Sequence, residues 1–250
     1  MMRAAPRPVE SHALQRLSAL APLDAMSIGT IRLALGQTLH VRARRDILTE
    51  GTPITNPRMI VSGWAARVRL LGDGRRQILS FLLPGDLIGV CNQPSPLAVS
   101  TVTAITEIGV CPLPPACEAP ALAQAYTMSL ALESAYLLDQ IARLGRLSAQ
   151  ERIYSLLLEI HERLQLNGMA EAGAFDVPLT QEMMADALGL TSVHVNRMLQ
   201  IARRQGDLQW RNGRVKLINP AELARQIGRS PARVSAVQLR DRFRLNRSQS

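Results

Sequence analysis

Hydrophobic positions along this chain follow several rhythms in succession, and each predicts a different element. Residues 1–11 carry no pattern and are expected to be disordered. Between residues 10 and 23, Leu14, Leu17 and Ala21 share one face of a short helix. From residue 33 to 113 the rhythm shortens to alternating runs, such as 39–41, 59–61, 66–71 and 77–83. Turn signals separate them at Glu50-Gly51, Ser62-Gly63, Gly72-Asp73-Gly74 and Pro84-Gly85-Asp86, which predicts an antiparallel barrel or sandwich. Residues 119–144 then predict one long helix. Its apolar positions (Leu122, Tyr126, Leu130, Leu132, Leu137, Leu138, Ile141 and Leu144) cover more than one face. Such a helix can bury one side on the barrel and another on a second subunit. Gly145 interrupts the pattern, and Ser148-Ala-Gln-Glu151 restarts it as a capping box, placing a hinge at 145–147. The next helix, 149–166, ends at Asn167-Gly168, and 168–175 is expected to be a loop.

Residues 181–200, QEMMADALGLTSVHVNRMLQ, meet the demands of two helices crossing at close range. Ala185 is small where the second helix must pass, Gly189 suits the tight turn, and Thr180 and Thr191 are candidate N-caps. Met184, Leu188, Leu190, Val195 and Met198 supply the buried faces. With Val195 and Met198 inward, Ser192, Val193, Asn196 and Arg197 are expected to face outward. Arg is the natural bidentate partner of guanine and Asn of adenine. Thr191, His194 and Gln200 are expected at the rim of the same surface, facing phosphate or solvent. Downstream, residues 208–211 and 214–218 flank Asn212-Gly213, a two-residue hairpin signal. A helix-turn-helix followed by a basic hairpin predicts a winged helix. Arg203, Arg204, Arg211, Arg214 and Lys216 are then the candidate phosphate contacts.

Charge sharpens this picture. The chain carries 29 basic and 20 acidic residues, a formal +9. Residues 190–250 alone hold 13 basic and 3 acidic groups, while 126–189 hold 4 and 9. The anionic partner therefore belongs to the last quarter of the chain, and double-stranded DNA is the expected one. A basic tail, 229–250, has six arginines and one acid and is expected to add phosphate contacts, with Ser230-Pro231 a possible helix start. No apolar stretch is long enough to span a bilayer, no signal-peptide pattern is present, and three unpaired-looking cysteines fit a reducing, cytoplasmic setting.

Taken together, the stretch GRRQILSFLLPGDLIG (74–89), the long helix and PLTQEMMADALGLTSVHVNRML (178–199) resemble the Crp/Fnr family of bacterial transcription regulators over nearly the whole chain. The resemblance implies an α+β fold: an antiparallel, jelly-roll-like β-roll of the cyclic-nucleotide-binding type (1–118), a dimerisation helix and hinge (119–147), a winged helix-turn-helix (148–228) and the basic tail. It implies a homodimer on a palindromic site. Arg197 matches the family's guanine-reading arginine, whereas Val193 stands where both founding branches have glutamate, and Asn196 where they have glycine or serine. RNA polymerase is a candidate partner that no motif locates.

The sensor departs from the family pattern. Val90 stands where the nucleotide cassette has the glutamate that holds the ribose, and the phosphate-binding arginine's place falls near Ala98, with no Arg or Lys from 77 to 142. Cyclic nucleotide is therefore not expected as ligand. No cysteine precedes Cys91, which disfavours the four-cysteine iron–sulfur cluster of the oxygen-sensing branch. No cofactor is expected. The alternatives are a redox device at Cys111 and Cys117, haem ligation through His12, His40 or His161, and a cyclic-nucleotide-binding regulatory module. No paired carboxylates, nucleophile elbow or phosphate loop suggests an enzyme.

Overall fold

A computed structural model describes residues 11–91 and 93–235. Two helices open it, α1 (His12–Leu20) and α2 (Ala25–Leu35). Eight strands follow: β1 (Leu39–Val41), β2 (Asp46–Leu48), β3 (Arg58–Ser62), β4 (Ala65–Leu70), β5 (Arg76–Leu82), β6 (Leu87–Ile88), β7 (Thr101–Ala104) and β8 (Ile108–Pro112). They form two antiparallel four-stranded sheets, ordered β1-β8-β3-β6 and β2-β7-β4-β5. Inward-facing Ile60, Leu82, Ile88, Val102, Ile108 and Val110 fill the space between them. The expected β-roll is present. The start of the barrel pattern at residue 33 is corrected, because α2 persists to Leu35, capped at its start by Asp24, whose side chain accepts from the Ser27 amide.

Helix α3 (Pro120–Arg146) is one continuous rod. It runs through Gly145, where a Cβ would meet nothing within 4 Å, so the break before the next helix is confined to Leu147 and Ser148. Helix α4 (Ala149–Leu166) begins with the expected capping box, Ser148 and Glu151 each bonding the other's backbone amide. The sequence expectation for 168–175 is wrong in detail. β9 (Ala170–Glu171) and β10 (Ala174–Asp176) form a hairpin there, too short to show a period-two pattern. Helices α5 (Gln181–Leu188) and α6 (Ser192–Gln205), strands β11 (Leu208–Arg211) and β12 (Arg214–Leu217), and α7 (Pro220–Gln226) follow within the described residues. A third four-stranded sheet is ordered β11-β12-β10-β9. No helix forms at Ser230-Pro231, and residues 236–250 of the basic tail lie outside the described residues.

The roll and the C-terminal part share a core: Trp64, Ile78 and Phe81 of the roll join one hydrophobic cluster with Ile153, Leu157, Met184 and Val195. An ionic chain reinforces this junction. Asp86, in the turn after β5, binds Arg16 of α1 at 2.8 Å and Arg163 of α4 at 2.6 Å. Arg163 continues to Glu159 at 3.2 Å, and Glu159 to Arg143 of α3 at 2.6 Å. All five are buried. The turn that offers Asp86 needs Gly85: its φ is +89°, and a Cβ there would lie 2.8 Å from the Arg16 side chain.

Candidate nucleic-acid interface

The reading head is built by local signals. Thr180 accepts from the Met183 amide at 3.1 Å and starts α5; Gly189, at φ +63°, ends it in the left-handed region that glycine tolerates. Thr191 accepts from the His194 amide at 3.2 Å and starts α6. Met184, Ala185, Leu188, Val195 and Leu199 close the inner face. Leu199 joins Val195 there, while Met198 is only partly buried against the same cluster.

The outer face of α6 agrees with the expected pattern. Thr191, Ser192, Val193, Arg197 and Gln200 are exposed, and His194 and Asn196 half-buried. Val193 is 78% exposed, large for an apolar side chain with no covering element. Asn196 is tied laterally to Gln200, whose amide donates to it at 3.4 Å. Arg203 donates to the Trp210 carbonyl at 3.2 Å, which ties α6 to the wing. The wing turn, Asn212-Gly213, has φ +51° and +77°, as a two-residue hairpin requires. Arg214 pairs with Asp176 at 3.1 Å, both well exposed. Arg197, Arg204, Arg211 and Lys216 have no ion pair among the described residues and are exposed. Cations left free of acids in this way are available to an external polyanion.

How α5 is held escaped the sequence reading. Its C-terminal carbonyls are orphans of the helix ladder, and three side chains from other elements satisfy them. Gln140 of α3 donates to Ala187 O at 2.6 Å and Gln77 of β5 to the same oxygen at 3.4 Å. Arg152 of α4 donates to Leu188 O at 3.0 Å, and Arg76 of β5 clasps Asp186 at 2.6 Å. The reading head is thus seated on the roll and on α3 together. Gln140 and Gln77 lie 47 and 110 positions from Ala187, beyond the reach of any local sequence pattern.

Two sequence expectations change. Arg229, placed in the phosphate-binding tail, is turned inward: its side chain is 7% exposed and pairs with Glu162 and, at 3.9 Å, with Asp139. The apolar positions of α3, open in the sequence to either the barrel or a second subunit, divide: Leu132 is buried within the protomer, while Leu138 and Ile141, 67% and 68% exposed, are the large apolar residues left uncovered. Of the cysteines, Cys91 and Cys117 are exposed, while Cys111 is buried, and burial pushes its thiol up to about 11.

Among the described residues no helix is long and apolar enough to cross a membrane, and no group of three or more His, Cys, Asp or Glu could hold a metal ion. Residues 38–117 match the cyclic nucleotide-binding domain and 151–226 the Crp-like helix-turn-helix domain. The chain is 30% identical over 220 residues to the nitrogen fixation regulation protein FixK of Bradyrhizobium diazoefficiens, covering 84% of this chain and 90% of that one. It is 32% identical over 175 residues to the transcriptional activator protein FnrL of Cereibacter sphaeroides, covering 66% and 69%. The structure of FixK2 from Bradyrhizobium japonicum superposes with a TM-score of 0.65 at 29% identity, over 79% of this chain and 98% of that one.

Proposed function

Because the chain belongs to the Crp/Fnr family of DNA-binding transcription regulators, which are not enzymes, we propose that it works in the cytoplasm as a homodimer that reads a palindromic operator without cyclic nucleotide as effector. The observation that carries the operator reading is the free cationic set on α6 and the wing. Arg197 on α6 is the base-reading candidate, bidentate to guanine, and Asn196 a second. Thr191, Ser192, Val193, His194 and Gln200 border the same groove, Val193 giving a thymine methyl an apolar contact. Arg203, Arg204, Arg211, Arg214 and Lys216 meet phosphates and set register without specifying sequence.

Dimerisation through α3 is supported by the uncovered Leu138 and Ile141, and would place two reading heads roughly 34–36 Å apart on inverted half-sites. The nucleotide-free reading is supported by what occupies the roll. Arg67 of β4 reaches across to Ser100 at 3.2 Å and to Glu133 of α3 at 2.5 Å, so this cation is already neutralised. The space between β5, the turn at Asp86 and α3 amounts to about 10 Å³, room for a single water at most. Arg16 and Arg163, which line this space, are held by Asp86, and Arg76 and Arg143 by Asp186 and Glu159.

The test is selection from random-sequence DNA, followed by Arg197→Ala on operators varied base by base. The expected result is an inverted repeat, with the variant losing discrimination at one guanine per half-site, worth about 1–3 kcal/mol per contact. A uniform loss at every position would show that Arg197 meets only phosphate.

A further inference from the structure

A second space in the roll is open. Between the β1–β8–β3 sheet, residues 112–116 and the first turns of α3 lies a cleft of about 530 Å³. That falls within the roughly 300–1,000 Å³ typical of small-molecule sites. Its walls are mostly apolar, with Leu39, Val110, Leu113 and the Tyr126 ring among them. Pro112, Pro114 and Pro115 stiffen one wall by fixing their own φ angles. The Tyr126 hydroxyl donates to the Pro114 carbonyl at 2.9 Å, tying that wall to α3.

One lining residue is charged. Arg58, half-buried on β3, has neither an ion pair nor a side-chain hydrogen bond among the described residues, and no carboxylate lines the cleft. A guanidinium beside apolar walls with no anion of its own is the complement of a carboxylate, which it can hold by two parallel hydrogen bonds. Leu39, 63% exposed, offers apolar surface beside it.

We propose that this cleft binds a small organic carboxylate with an apolar body, the carboxylate on Arg58 and the body along Leu39, Leu113 and Tyr126. Occupancy would bear directly on the start of α3 through the Tyr126–Pro114 bond, on the helix that carries both Gln140, which holds the reading head, and the uncovered Leu138 and Ile141.

The experiment is calorimetry of the full chain with decanoate, and with decanol as the neutral probe of equal length. The expected result is saturable binding of one decanoate per chain, at least tenfold weaker for decanol and for Arg58→Met, and partly retained in Arg58→Lys. Ala116→Trp, which fills the cleft, is expected to abolish binding while keeping a cooperative melting transition. Absence of saturable decanoate binding, equal binding of decanol, or unchanged binding in a folded Arg58→Met or Ala116→Trp variant would overturn the proposal. So would sedimentation showing that decanoate binds only by displacing a second chain, which would make the cleft an interface between copies. Direct binding is the readout, so the result is independent of whether an operator is found.

Discussion

Replacing Asp86 by alanine probes the ionic chain that joins the roll to the DNA-binding part. Asp86 is 6% exposed. Its carboxylate accepts from Arg16 at 2.8 Å, from Arg163 at 2.6 Å and from the Leu83 amide at 2.7 Å. Removing it leaves two guanidiniums, 5% and 6% exposed, without their shared anion. Breaking a buried pair in this way costs about 3–5 kcal/mol, most of it the stranded charge. For a chain of this size that lowers the melting temperature by roughly 6–20 °C, at ~2–4 °C per kcal/mol.

The charge state has the sign this requires. Burial opposes ionisation of Asp86, but Arg16 and Arg163 outweigh it and hold the carboxyl below its ordinary 3.8. Its contribution is therefore full above that value and is lost as pH falls through the lower folded value. Urea denaturation at pH 7 is the assay, with two built-in reporters: Trp64 in the roll and Trp210 in the wing. In single-tryptophan backgrounds the two transitions are expected to coincide in the parent and to separate in Asp86→Ala, because Asp86 bridges α1 and α4. Asp86→Asn, which keeps shape and an acceptor, is expected to cost less. A loss under about 1 kcal/mol with transitions still coincident would refute the reasoning, since the arginines would then have found other partners.

Charge on the uncovered seam of α3, Leu138→Glu or Ile141→Glu, is expected to yield folded monomers by sedimentation with much weaker operator binding; an unchanged dimer would move the interface elsewhere. His161 is buried against Phe175 at 5.4 Å with Nε2 unpartnered, and burial holds it below its ordinary 6.5. Its stabilising effect is therefore full above 6.5 and lost as pH falls through the folded value, so His161→Leu is expected to flatten the drop in denaturation midpoint between pH 7 and pH 5. Deleting residues 236–250, which hold four arginines and one acid, is expected to flatten the slope of log affinity against log salt; an identical slope would show that the segment touches no phosphate.

Elements specified by local chemistry were legible in the chain alone. The capping box at Ser148 and Glu151, the caps at Thr180 and Thr191, the turn at Gly189 and the hairpin at Asn212-Gly213 depend on residues within a few positions of one another, and all appear as expected. The outward set on α6 followed for the same reason, since helical period fixes which side chains oppose Val195. Short elements were lost: β9 and β10 span two and three residues, too few for the two-residue alternation of a strand to recur.

What only the tertiary structure decided is which partner each ambiguous residue takes. Leu132 and Leu138 are alike in sequence, yet one packs inside the protomer and the other faces out, because the roll and α1 cover only one side of α3. Arg229 and Arg197 both look like DNA contacts, but acids contributed by α3 and α4 claim the first. The ionic chain from Arg16 through Asp86 and Arg163 to Arg143 joins residues up to 127 positions apart, and no periodicity carries that information. Hydrophobic pattern sets which face of an element is buried, whereas the choice of neighbour is made by shape and charge in three dimensions.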